Sequence, residues 1–168
     1  MNNFDITHEG RTTLAADRSA AIDLGYPTDA IAVAMKSAAK AETTKVADAY
    51  RAKLASTSAG KLQAYRIKEQ IARDPANADA AELALIEREA AARGISRDGL
   101  ISLIAAQATA YRQNALLIEA LEAEAGAAIA AIPNDASDIE AQIANVLEAA
   151  KGQAEIVFGE AVSLIGGG

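Results

Sequence analysis

Apolar residues recur along this chain at steps of three and four, the period of a helix with one buried face. The run is clearest at Ile104, Ala108, Tyr111, Ala115 and Ile118, spaced 4-3-4-3 as in a heptad seam. It resumes at Leu121, Ala125, Ile129 and Ile132, so a helix is predicted over about 97–132. Some 30 residues of seam make roughly 45 Å of packing length. These nine positions are the candidate interface of the protein. Alanine alternating with larger side chains admits a second helix closely, either from the same chain folded back antiparallel or from another copy, and the spacing does not choose.

Shorter periodic stretches flank the seam. Pro27-Thr28-Asp29 reads as a helix start, with Thr28 as cap and Asp29 at the positive end of the dipole, and Ile31, Met35, Ala38, Val46, Ala49, Tyr50 and Leu54 carry the stripe onward. A break at Ser56-Thr57-Ser58 precedes a helix with Leu62, Tyr65, Ile67 and Ile71 that ends before Asp74-Pro75. A third helix spans about Asp79 to Ala92, closed by Gly94, after which Ser96 or Asp98 caps the long one. Pro133-Asn134-Asp135 stops the long helix, and Ser137-Asp138-Ile139-Glu140 matches a capping box opening a fifth, with Ile139, Ile143, Val146 and Leu147 on its face to about Ala150. Beyond Gly152 the chain either continues as helix or forms a short β segment at Glu155-Ile156-Val157-Phe158. The fold class is therefore all-α, an elongated helical hairpin or bundle without a sizeable sheet. It divides into an N-terminal arm with one short helix (1–27), a helical bundle (28–150) and an extension with a flexible glycine end (151–168).

Composition sharpens this picture. Of 168 residues 44 are Ala, against four Tyr, two Phe and no Trp, so much of the apolar half of the chain is single methyl groups. Burying an Ala yields far less than the roughly 2 kcal/mol of a large aliphatic side chain, so the core is thin and contacts between helices or subunits must carry stability. Alanine also favours helix over pleated sheet.

Charge and residue inventory exclude more than they suggest. The net charge of −7 opposes general nucleic-acid binding. It is unevenly spread, at −3 over residues 1–35, +6 over 36–73 and −10 over 74–168. Lys36, Lys40, Lys45, Lys53, Lys61 and Lys68 read either as solvated faces pairing with acidic helices downstream or as a dock for an acidic partner. No apolar run is long enough to span a bilayer, and alanine-rich faces beside acidic ones disfavour anionic lipid surfaces. The start Met1-Asn2-Asn3-Phe4-Asp5 is unlike a secretory leader, so no export by that route is expected.

Candidate chemistry is sparse. With no Cys, thiolate and disulfide chemistry are excluded, and the single His8 lacks convergent partners for a metal or general-base role. Asp135, Asp138 and Glu140 lack the periodicity of a calcium loop and are explained by helix capping. The glycines form no phosphate loop. Tyr50, Tyr65 and Tyr111 sit at helical-face positions suited to core or interface anchors rather than base stacking. Catalytic, cofactor and metal sites are expected to be none.

Five segments carry a resemblance. They are Tyr50-Arg51-Ala52-Lys53-Leu54, the stretch from Ser58 through Tyr65 to Lys68, Ala72-Arg73-Asp74-Pro75, Glu89 through Gly94 to Ser96, and the long helix through Tyr111. In this order, over about 45–132, the chain resembles small alanine-rich helical proteins of tailed bacteriophages associated with tail fibres. A Trp often found near the position of Tyr111 in such sequences is replaced here. The resemblance implies a non-enzymatic virion component near the fibre or baseplate, made in the host cytoplasm, forming homo-oligomers and binding other virion proteins; the alternative is a fibre-assembly chaperone that leaves the mature particle. In this reading the seam buries Tyr111, Ile118 and Ile129, while the arm and the extension order on a partner. A bulky side chain at Ala115 is expected to overpack the seam, so Ala115→Leu should cost roughly 1–3 kcal/mol in thermal unfolding. Unchanged helicity and melting would show the seam to be misassigned.

Overall fold

The computed structural model describes residues 3–54 and 59–165. In chain order the elements are strands β1 (Phe4–His8) and β2 (Arg11–Ala16), then helices α1 (Arg18–Asp23), α2 (Thr28–Leu54), α3 (Ala59–Arg73), α4 (Ala80–Ala92), α5 (Arg97–Ala131) and α6 (Ile139–Ile165). The protein is mainly helical, as its periodicity requires, with one small antiparallel sheet that the periodicity did not reveal. The break expected at Ser56-Thr57-Ser58 and the end at Gly166-Gly167-Gly168 lie outside the described residues. The chain forms two compact units, residues 1–51 with 117–158 and residues 52–116 with 159–168.

In the first unit the stretch expected to be an arm with one short helix contains a hairpin as well as that helix. His8 pairs with Arg11, leaving Glu9 and Gly10 as a two-residue turn at φ 49° and 78°, the mirror-image turn that suits strand twist. Ile6, Thr7, Thr12 and Thr13 flank it, β-branched residues that favour a pleated surface. The register shifts between Phe4 and Ile6, and the extra residue is accommodated at Ala15, whose φ is 52°. The Ala15 N–H freed there donates to Asp5 Oδ1 at 2.8 Å. Thr13 Oγ1 and Tyr26 Oη share a 2.9 Å hydrogen bond, and the Arg11 guanidinium lies 4.7 Å from the Tyr26 ring centroid while donating to Leu24 O at 2.8 Å. The hairpin is thereby fastened to the turn between α1 and α2. Phe4, Ile6 and Ala16 are buried with Ile31 and Met35 of α2, Ile129 of α5, and Ile139 and Ile143 of α6. An arm awaiting a partner is thus replaced by a segment that helps make the core.

Three helices frame this unit. Residues 36, 44 and 51 of α2 meet residues 132, 122 and 119 in that order, so α5 runs antiparallel to α2. Ile31 lines a small gap with Ile139, and Met35 another with Ile143, so α6 runs parallel to α2. Helix ends follow expectation with two adjustments. Pro27 O receives the Ile31 N–H at 3.0 Å, which makes Pro27 the cap and Thr28 the first helical residue. The last helix opens at Ile139, one residue later than a box on Ser137 requires, with Asp138 accepting the Gln142 N–H on its carbonyl at 3.0 Å and the Gln142 amide on its carboxylate at 2.7 Å. It then passes through Gly152 without a break, so the Glu155–Phe158 stretch is helical rather than β.

The second unit takes α3, α4 and residues 97–116 of α5. Its core is Ile71, Ile86, Ala90 and Leu100, with Leu83 and Ile104 packed against it. Asp79 caps α4 by accepting the Ala81 N–H at 2.7 Å. Gly94, at φ 69°, turns the chain out of α4 while Ile95 N–H returns to Ala90 O at 3.1 Å, the left-handed exit that favours glycine. Ser96 then caps α5, accepting the Gly99 N–H on its hydroxyl at 3.0 Å.

The hairpin bulge supplies a test. A left-handed alanine costs roughly 1–2 kcal/mol, more than the roughly 0.5–1 kcal/mol that glycine loses to chain entropy. Ala15→Gly should therefore raise stability by about 0.5 kcal/mol, whereas Asp5→Ala, which orphans the Ala15 N–H, should lower it by about 1 kcal/mol; thermal unfolding reads both.

Candidate functional site

The predicted seam is one helix but not one interface. Ile104 packs against the core of the second unit, and Ile129 and Ile132 belong to the core of the first. Ile118 and Ala125 are also buried, Leu121, Ala108 and Ala115 are half-buried, and Tyr111, expected to be buried, is 40% exposed. The chain itself covers the seam's C-terminal part, so those positions are closed to a second copy in this conformation. Tyr50 is buried as an anchor, whereas Tyr65 is 53% exposed.

Large apolar side chains left uncovered sit elsewhere. In the second unit they include Tyr65 and Ile67 on α3, Leu85 on α4, and Tyr111 and Leu116 on α5; Leu85 and Leu116 are 65% and 70% exposed. Leu116 lies one residue outside the heptad positions, which is why a seam-based reading passes over it.

The strongest polar assembly in the first unit joins α2 to α5. Thr44, Asp48 and Arg51 follow one another at four and three residues and so share a face of α2, as Glu119 and Glu122 share a face of α5. The Arg51 guanidinium donates to Asp48 Oδ1 at 2.8 Å and to Glu119 Oε1 at 2.9 Å, and also bonds Glu122, whose other oxygen accepts from Thr44 Oγ1 at 2.7 Å. These bonds raise the Arg51 pKa, Glu122 and then Asp48 contributing most, and lower that of Glu122, through Thr44 and then Arg51. Thr43, a buried neighbour, returns its hydroxyl to Ala39 O at 3.0 Å. The two threonines that weaken helix propensity here thus each satisfy a partner. Lys36 performs a related task at the other end. Its ammonium donates to Ile132 O and, at 2.6 Å, to Asn134 Oδ1, while the Asn134 amide bonds Asp29, so a cation sits at the C-terminus of α5 where the dipole favours it.

In the second unit Lys68 pairs with Glu89 at 2.5 Å, Arg93 reaches the other oxygen of Glu89 at 2.7 Å, and Glu69 serves Arg73 at 2.6 Å and also Arg112. The Lys68 bond is the main cause of a lowered Glu89 pKa. Much of the basic block is therefore consumed inside the chain, Lys45 included, at 3.6 Å from Glu42. Of the lysines singled out by the sequence, Lys68 pairs with an acidic helix downstream, whereas Lys45 pairs within its own helix and Lys36 meets a carbonyl and an amide.

A cleft of about 450 Å³ opens between α2, α5 and α6 in the first unit. Val46, Ile118, Leu121 and Leu147 line it with Ala47 and Ala154, and Glu42, Glu122, Glu148 and Lys151 stand among its walls. His8, on the hairpin, is 3.8 Å from Glu9. Among the described residues no group of three or more His, Asp or Glu is placed to hold a metal, and no helix is long and apolar enough to cross a membrane.

Comparison of the chain with protein-family models, curated proteins and solved structures finds no match.

The lowered pKa values of Glu122 and Glu89 give a signed pH dependence. A carboxylate depressed in the folded state contributes stability that is present above its unfolded value, roughly 4.3, and is lost as pH falls through the folded one. Glu122→Gln should lower stability at pH 7 by about 2 kcal/mol, and the difference should shrink as pH falls below the unfolded carboxylate value and through the lower folded one. Thermal melts of the two proteins across an acid pH series make the comparison.

Proposed function

We propose that the protein is a non-enzymatic structural component of a bacteriophage virion, associated with the tail fibre or baseplate, that assembles through helix packing with itself and with neighbouring virion proteins. The observation that carries this reading is the set of large apolar side chains left in water on the helices of the second unit, from Tyr65 and Ile67 to Leu85, Tyr111 and Leu116. A chain this poor in large side chains leaves several of them between 40% and 70% exposed. Contact with other proteins recovers the burial. These residues lie inside the stretch that resembles helical proteins of tailed bacteriophages, which is what turns a general interaction protein into a virion component.

The site of assembly shifts accordingly. The continuous face from Ile104 to Ile132 gives way to the exposed set, with Tyr111 shared by both. Arg51 and Glu122 serve to hold α2 against α5, not to meet a substrate.

Mass spectrometry of washed virions should recover the protein at a fixed ratio to known tail components, and light scattering should show mass rising with concentration. Recovery from infected-cell lysate alone would sink the virion reading and favour a fibre-assembly chaperone. Tyr65→Ser with Leu116→Ser should lower incorporation while leaving the thermal midpoint within a few degrees, since both side chains are already solvated.

A further inference from the structure

We propose that α3 is a detachable helix, held against α4 and α5 by an ionic latch that salt releases while those two helices stay packed together. Two neighbouring residues of opposite charge form the latch. The Lys68 ammonium meets Glu89 of α4 at 2.5 Å, and the Glu69 carboxylate accepts from the Arg112 guanidinium of α5. Consecutive positions on a helix point about 100° apart, so this pair reaches two different neighbours and each residue finds its opposite charge. Both carboxylates also hold a second arginine, Arg93 on Glu89 at 2.7 Å and Arg73 on Glu69 at 2.6 Å. The side chains of Lys68, Glu69 and Glu89 are 27%, 24% and 25% exposed, so dissolved ions reach them.

Apolar contact does little to replace these pairs. Among the described side chains of residues 63–73, those of Ile71 and Ala72 alone are buried, and every residue from Gln63 to Ile67 is exposed. Lys68 stands three and four residues before Ile71 and Ala72, so it shares their docked face and puts a cation where apolar docking would put an aliphatic chain. The neighbours depend less on α3. Ile86 and Ala90 of α4 and Leu100 of α5 pack with Leu83 and Ile104, and the Ile95 N–H returns to Ala90 O at the exit from α4. Segments with few buried apolar contacts open at low free energy, and charge pairs within reach of solvent weaken as the screening length falls from about 10 Å at 0.1 M salt to about 3 Å at 1 M. A freed α3 gains apolar face, because Ile71 lies four residues beyond the exposed Ile67 and joins it on one side. The latch is a property of the isolated protein and stands apart from the virion assignment.

Amide hydrogen exchange of the full chain, read by mass spectrometry at about 0.1 M and about 1 M sodium chloride, tests the latch. Peptides covering 63–73 should lose protection by about fivefold at the higher salt, and Lys68→Gln with Glu69→Gln should produce about a tenfold loss already at the lower. Peptides covering 80–92 and 97–104 should change by less than about twofold in both comparisons. Arg66→Gln removes a charge from the exposed part of α3 without touching either pair, and should leave 63–73 as protected as before. Protection of 63–73 that salt does not alter in the unaltered protein would overturn the proposal. Equal losses over 80–92 and 97–104 would overturn it too, since the three helices would then open together, as would an effect of Arg66→Gln equal to that of the paired substitution, which would reduce the latch to general charge.

Discussion

Alanine removes so little apolar surface from water that the few large side chains of this protein must be gathered from distant parts of the chain. In the first unit that requirement falls on the N-terminal hairpin. Phe4 and Ile6 are brought against Met35 of α2 and Ile143 of α6, adding side-chain volume that the alanine-rich helices do not supply. The bulge at Ala15 and its hydrogen bond to Asp5 accommodate the register shift beside Phe4, and Tyr26 and Arg11 hold the sheet to the helices. A left-handed alanine is tolerable because the burial it permits is worth more than its strain.

With a thin core, alignment of the helices relies on polar contacts at named points. Arg51 ties α2 to α5 through Glu119 and Glu122, and Lys36 ties them again at the end of α5. Individually such partly exposed bonds are modest, but they occur as connected sets on facing helices, and a connected set constrains register as well as distance. The same thin packing leaves the cleft beside α6, where methyl groups border space that larger residues would have closed. Helix alignment, the cleft and the stranded apolar side chains of the second unit share this origin.

Residues that hold the fold, Arg51 and Glu122 among them, are engaged within the chain, whereas Tyr65, Leu85 and Leu116 have little to do inside it.

Helix number, order and nearly all boundaries were legible in the residues, because a 3.6-residue period, prolines and glycine stops act locally and do not depend on what the helix packs against. Gly94 as an exit was readable for that reason, and the cap was narrowed to Ser96 or Asp98, of which the structure uses Ser96. The hairpin was not, since two strands of five and six residues carry too little alternation, and Glu9-Gly10 looks like any loop until its flanks are seen paired. Facing positions such as Thr44, Arg51 and Glu122 were visible as stripes on separate helices, but which stripes meet is decided by chain reversal far from either. The same holds for the seam. Periodicity placed Ile104 through Ile132 on one side of α5, while tertiary packing allotted Ile104 to one core and Ile129 to another and left Tyr111 only partly covered. A period determines which side of a helix is apolar; what covers that side depends on segments that sequence spacing does not relate.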